Sequence, residues 1–70
     1  MMKLNTKITL LEEMRANSLR CADAYEKEGN PVMAEELRNE AYGLYQAIKV
    51  LTNEEYAEDM AEIFLFDEEE

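Results

Sequence analysis

The chain has 70 residues, of which 7 are basic, 17 are acidic and none is histidine, and its formal net charge is −10. This length predicts a single domain. The lack of histidine removes the usual zinc ligands, the usual general base and every Ser–His or Cys–His pair. The small number of cations disfavours direct binding to nucleic acid or to anionic membranes. We therefore expect a non-enzymatic protein without metal or cofactor.

Two further features concern the compartment. Cys21 is the single cysteine, so no disulfide can form within the chain, and we interpret it as a small buried hydrophobe. The longest apolar runs have three or four residues, far below the ~20 that cross a bilayer. The first residues lack the apolar stretch of a secretory signal. We expect a cytoplasmic protein.

The first predicted helix covers about residues 6–28. Asn5, Thr6 or Thr9 is the expected N-cap, because each side chain can accept a hydrogen bond from a free backbone N–H. Its apolar seam has helical spacing but is thin in the middle. The seam consists of Ile8, Leu11, Met14 or Arg15, Ser18, Cys21 or Ala22, and Tyr25.

The strongest break in the pattern is Gly29-Asn30-Pro31. Gly29 suits the left-handed conformation that ends a helix, Asn30 suits an N-cap, and Pro31 suits the first helical position. A second helix is therefore predicted over residues 31–51. Because the connection is short, the first two helices should be antiparallel neighbours.

The second predicted helix is the most apolar and should be central. Gly43 and Ala47 form a small patch on it, which indicates either close approach by another helix or a tolerated surface glycine. Tyr42 and Tyr45 are interpreted as packing residues at the edge of the core or, if exposed, as interface residues. The main apolar stripe of this helix consists of Met33, Leu37, Ala41, Leu44, Ile48 and Leu51.

A third helix is predicted over residues 53–65. Thr52 and Glu55 have capping-box spacing, and Leu51 with Tyr56 fits a hydrophobic staple. The apolar run at residues 63–66 has two interpretations: a last turn packed into the hairpin, or a segment that docks on a partner. At least Leu65 or Phe66 should be exposed or meet a second chain. Residues 67–70 are predicted to be a short acidic tail.

Residues 19–44 resemble one hairpin of the tetratricopeptide type. The resemblance lies in Ala22, Tyr25, Gly29, Ala34 and Ala41, with Leu37 in a bulky position between the last two. The chain departs from that pattern at Arg20-Cys21, where a leucine is expected nearby, and at Pro31 in the turn. The resemblance implies a tight antiparallel hairpin. It does not imply a peptide groove, because such repeats normally need at least three units.

The fold expected from these elements is all-α: an antiparallel helical hairpin plus a third, shorter acidic helix, together a three-helix bundle that oligomerisation could complete. Residues 1–66 form its single predicted domain. No strand pattern appears, and a chain this short buries only about 60% of its unfolded surface. Without a disulfide or a metal, oligomerisation is one of the few remaining ways to stabilise such a chain.

The negative charge is concentrated at one end. Residues 1–30 have five basic and five acidic residues, residues 31–51 have two and three, and residues 52–70 have none and nine. Such asymmetry predicts an interaction surface. We expect an acidic partner-binding face on the third helix, made of Glu54, Glu55, Glu58, Asp59 and Glu62.

The first functional hypothesis is a protein-interaction module that presents this acidic helix to a basic partner surface. In size and charge the chain resembles small phage-encoded inhibitors of nucleic-acid enzymes, including DNA mimics. This resemblance implies an inhibitor that blocks a nucleic-acid-binding site.

The alternative hypothesis is a structural protein that forms a helical homo-oligomer, such as a homodimer, or docks in a larger complex. Its expected contacts are Tyr42, Gly43, Ala47, Leu65 and Phe66. In that case the charge serves only solubility.

Overall fold

The computed structural model describes residues 1–66 and contains three helices joined by short turns: α1 (Leu4–Lys27), α2 (Pro31–Thr52) and α3 (Glu54–Phe64). No strand occurs among the described residues. The predicted all-α class and the three helices are confirmed. The predicted acidic tail at 67–70 lies outside the described residues.

Helix α1 begins at Leu4, before any of the three expected caps. Lys3 occupies the N-cap position without a capping hydrogen bond from its side chain. Asn5, Thr6 and Thr9 all lie inside the helix, so the prediction of a polar cap is wrong. The first seven residues are exposed, and water can therefore satisfy the free N–H groups that a cap would otherwise bind.

The turn between α1 and α2 follows from Gly29-Asn30-Pro31. Gly29 has φ 82°, and its N–H donates to the Glu26 carbonyl at 3.0 Å. The Asn30 N–H donates to the Tyr25 carbonyl at 2.9 Å, which completes a Schellman motif. The Asn30 side chain then accepts a hydrogen bond from the Met33 N–H at 3.3 Å and caps α2. The turn has the geometry predicted from the three residues.

The junction between α2 and α3 differs from the prediction. The Thr52 hydroxyl donates to the Ile48 carbonyl at 2.8 Å, so Thr52 belongs to α2 and cannot cap α3. Asn53 is extended instead, and its Oδ1 accepts a hydrogen bond from the Tyr56 N–H at 3.0 Å. The cap therefore lies one residue later than the predicted capping box, and Tyr56 lies three rather than four positions inside it.

Helices α1 and α2 pack through small side chains. Ala22 and Ala34 are fully buried, Ala41 is 2% exposed, and Ser18 is the remaining buried residue. The Ser18 hydroxyl donates to a carboxylate oxygen of Glu40 at 3.2 Å across the interface. Alanine at these positions lets the two helix backbones approach closely, because interhelical distance depends on the side chains at the contact. Three of the residues that carry the tetratricopeptide resemblance are thus the buried contacts of the hairpin.

Helix α3 contacts α2 and makes no contact with α1 over the described residues. Ala41 faces α1 and Val50 faces α3. These two residues are nine positions apart on α2, about two and a half turns, and so lie on opposite sides of that helix. The three helices form a layer with α2 in the middle, with principal extents of 47 × 35 × 18 Å. The predicted third helix is present, but the bundle is open rather than closed.

The open arrangement leaves the core small. The radius of gyration is 15.4 Å, whereas a compact domain of this length has about 11 Å. None of the large side chains among residues 1–66 is fully buried. Much apolar surface of all three helices therefore remains available to another chain.

Candidate functional site

The acidic face of α3 points to solvent. All five predicted carboxylates, at Glu54, Glu55, Glu58, Asp59 and Glu62, are exposed, and none forms an ion pair within residues 1–66. The opposite side of α3 packs against α2. That packing side consists of the half-buried residues Tyr56, Ala57, Met60 and Ala61.

The effect of each carboxylate on the stability of α3 depends on its position along the helix. Glu54 and Glu55 lie in the first turn, where the helix dipole favours negative charge. Glu58, Asp59 and Glu62 lie beyond that turn and repel the carboxylates four residues before them. Each such like-charge pair costs a few tenths of a kcal/mol. A basic surface placed against α3 would remove this repulsion.

The end of α3 is apolar and exposed. The exposed fractions of Ile63, Phe64, Leu65 and Phe66 are 53%, 76%, 72% and 68%. These side chains therefore do not pack into the hairpin, and the first interpretation of residues 63–66 is wrong. Four adjacent exposed apolar residues beside an acidic helix favour the second interpretation, a segment that docks on a partner.

A groove runs between α2 and α3, with a volume of about 270 Å³. We call it the apolar groove because most of its lining residues are apolar, and Phe64 lies at its edge. Contact of α3 with only one neighbour leaves this groove open. It is lined by Gln46, Ala47, Val50, Tyr56, Met60 and Phe64.

A second groove, also of about 270 Å³, lies between α1 and α2. We call it the arginine–tyrosine groove. The rings of Tyr42 and Tyr45 are 6.3 Å apart and inclined by 30° within it. It brings two of the seven basic residues of an acidic chain to one place. It is lined by Arg15, Leu19, Arg38, Ala41, Tyr42 and Tyr45.

The two arginines of this groove differ in their partners. Arg38 donates a hydrogen bond to Glu26 and lies 3.5 Å from Asp23, which ties α2 to α1. The hydrogen bond to Glu26 raises the pKa of Arg38 above its usual value. Arg15 has no such pair among residues 1–66, and its Nε is buried without a hydrogen-bond partner there.

Two cations lie near the ring of Tyr45. The guanidinium of Arg15 is 5.4 Å from the centroid of its ring, and the ammonium of Lys49 is 5.6 Å away. Lys49 also lies 4.6 Å from the ring of Tyr56 and so connects α2 to α3. Neither Arg15 nor Lys49 forms an ion pair within the described residues. Such contacts stabilise a cation, yet leave its charge unneutralised.

The sequence did not predict this cationic cluster. The available signal was Arg15, which appears in the apolar seam of α1 as an alternative to Met14. The structure places Arg15 half-buried in the interface and leaves Met14 46% exposed. A cation in an apolar seam is unusual enough to indicate a specific environment.

The five predicted contacts do not form one surface. Tyr42 lines the arginine–tyrosine groove, whereas Ala47 lines the apolar groove. A Cβ added to Gly43 would meet nothing within 4 Å, so none of the three helices in residues 1–66 approaches it closely. Leu65 and Phe66 are exposed beyond the end of α3. Tyr42 and Ala47 therefore belong to different grooves.

Residues 1–66 contain no group of three or more acidic or cysteine side chains placed to hold a metal ion. No helix in this part of the chain has the length and apolar character needed to span a bilayer. Comparison with protein-family models, with curated proteins and with solved structures gives no match.

Proposed function

We propose that this protein is a non-catalytic interaction module that presents the acidic face of α3 to a basic surface of a partner protein. The observation that carries the proposal is the set of five carboxylates on α3, all exposed and without an ion pair among the described residues. No basic residue lies between residues 52 and 66 to neutralise them. The exposed residues 63–66 add apolar area for the same contact.

The spacing of the carboxylates favours one kind of basic surface. Glu54, Glu58 and Glu62 recur every four residues, which is about 6 Å along the helix. This is the scale on which phosphates follow one another along a nucleic-acid strand. A site built to bind DNA or RNA would offer cations at that spacing. We therefore propose that α3 occupies such a site and inhibits the nucleic-acid-binding protein that contains it.

A second function is favoured by the small core. The absence of fully buried large side chains in residues 1–66, together with the open apolar groove, is typical of a chain that completes its core with another subunit. The protein would then be a structural component of a homo-oligomer or larger complex. Its charge would keep the free subunit soluble.

The two functions are separated by charge-neutralising variants used as bait. Partners are captured with the wild type and with the triple variant Glu54→Gln, Glu58→Gln, Glu62→Gln. A matched control neutralises three exposed carboxylates outside α3, in Glu12→Gln, Glu13→Gln, Glu36→Gln. Both triple variants change the net charge equally, so only the position of the lost charge differs.

The proposal predicts a partner that the wild type and the control retain and that the α3 variant loses. Retention should fall as salt screens the contact. A partner retained equally by all three proteins at high salt would contradict the role of α3. It would favour assembly through the apolar surfaces instead.

A further inference from the structure

The cationic cluster lies where α1 meets α2 and reaches the packing side of α3 through Lys49, whereas the carboxylates of α3 point to solvent. It consists of Arg15, Lys49 and Tyr45, with Arg38 and Tyr42 alongside in the arginine–tyrosine groove. Arg15 keeps a buried Nε without a partner among residues 1–66. A half-buried charge without a counter-ion is costly, and a carboxylate placed beside it would offset that cost. The cluster therefore has the chemistry of a carboxylate-binding site.

The chain itself contains the complementary segment. Glu58, Asp59 and Glu62 are exposed, and residues 63–66 follow them with exposed apolar side chains. The groove offers the guanidinium of Arg15, which forms no ion pair among residues 1–66, beside two tyrosine rings. Aromatic and arginine side chains are the types that most often anchor protein interfaces.

The same copy cannot supply the segment. Helix α3 is 11 residues long and lies on the side of α2 that faces away from α1. It makes no contact with α1 over the described residues, whereas Arg15 and Leu19 of the groove belong to α1. Residues 58–66 can therefore enter this groove only from another molecule.

The distribution of charge selects the arrangement of two copies. A two-fold dimer formed through α3 would bring residues 52–70 of both copies together, and each copy has nine acidic and no basic residues in this range. A head-to-tail contact instead places residues 52–70 against residues 1–51, which have seven basic and eight acidic residues. Charge complementarity thus favours a heterologous contact over an isologous one.

We propose that the cationic cluster of one copy binds the end of α3 from a second copy, so that copies associate head to tail. Carboxylates of α3 meet Arg15 and Lys49, and apolar side chains of residues 63–66 enter the arginine–tyrosine groove. This inference rests on the proposed function, in which α3 binds a basic surface. A basic partner would compete with the second copy for α3.

Sedimentation velocity from micromolar to millimolar concentration, at low and high salt, measures the association. A cluster variant carries Arg15→Gln and Lys49→Gln, and an α3 variant carries Glu58→Lys and Glu62→Lys. Arg20→Gln is a control for the loss of a cation elsewhere, because Arg20 is exposed and belongs to neither the cationic cluster nor the groove. The α3 variant leaves the α1–α2 contact untouched, so it remains informative if the cluster variant does not fold.

The wild type and Arg20→Gln should associate with increasing concentration, and each double variant should weaken association at least about fivefold. A mixture of the two double variants should form a one-to-one pair, since each supplies the half that the other lacks. A wild type that stays monomeric throughout, or associates equally after either change, overturns the inference. If α3 still retains a basic partner in the capture experiment, the proposed function stands without it.

Discussion

The ammonium of Lys49 lies 4.6 Å from the centre of the Tyr56 ring and 5.6 Å from the Tyr45 ring, so one side chain of α2 bridges an aromatic residue of α3 and one that faces α1. These contacts of Lys49 hold α3 against α2 at a place where few other side chains are buried. Helix α3 has no buried residue and, of the other helices in residues 1–66, contacts only α2. The orientation of the acidic face therefore depends on few interactions.

Replacement of Lys49 by Met keeps the length of the side chain and removes its charge. Loss of the two cation–π contacts should lower the free energy of opening of α3 by about 0.5–1 kcal/mol. Hydrogen exchange of the α3 amides measures this as faster exchange relative to α2. Lys49→Arg keeps a cation over both rings and should restore the wild-type rate. Unchanged exchange in Lys49→Met would show that the contacts do not hold α3.

The cap of α3 gives a second test, because the sequence and the structure assign it to adjacent residues. Asn53→Ala removes the acceptor for the Tyr56 N–H and should destabilise α3 by about 1 kcal/mol. Thr52→Ala removes only a bond to the Ile48 carbonyl inside α2 and should have a small effect. Helicity of α3, followed by NMR shifts, separates them. A larger effect of Thr52→Ala would show that Thr52 caps α3, as the capping-box spacing predicted.

The two glycines should respond oppositely to alanine. Gly29 has a positive φ, so Gly29→Ala should destabilise the chain by about 1–2 kcal/mol. Gly43 lies within α2 with open space around it, so Gly43→Ala should stabilise by about 0.5–1 kcal/mol. Thermal unfolding followed by circular dichroism measures both. Destabilisation by Gly43→Ala would reveal that another molecule approaches the helix there.

The α1–α2 contact should not tolerate larger side chains. Ala41→Leu would force a bulky group into a position that is 2% exposed and should cost about 1–3 kcal/mol. Ala24→Leu adds the same group at an exposed position of α1 and is the matched control. The difference in unfolding free energy between these variants measures the closeness of the helix contact. Equal stability of the two would contradict the close packing at Ala41.

The hairpin was predictable because its signals are local. Gly29, Asn30 and Pro31 each favour one backbone geometry through the chemistry of a single residue, and together they define a turn. Likewise, the spacing of apolar residues along α2 identifies its central place, since only a helix that contacts two neighbours needs apolar groups on so much of its circumference.

The arrangement of α3 was less predictable because it depends on contacts between helices. Nothing in residues 53–65 says which side of α2 they cover, so a closed bundle and an open layer have the same local pattern. The capping error has the same origin: both Thr52 and Asn53 are good caps, and the choice depends on how far α2 extends. The cationic cluster arises from Arg15 of α1 and Lys49 of α2, which only packing brings together.

The decisive measurement for the acidic face of α3 is the affinity of the captured partner for the wild type and for the triple variant Glu54→Gln, Glu58→Gln, Glu62→Gln, at low and at high salt. Three ion pairs at about 0.5 kcal/mol each predict that the variant binds roughly tenfold more weakly and that its affinity depends less on salt. Equal affinity of the two proteins, with the same response to salt, would contradict a functional acidic face on α3.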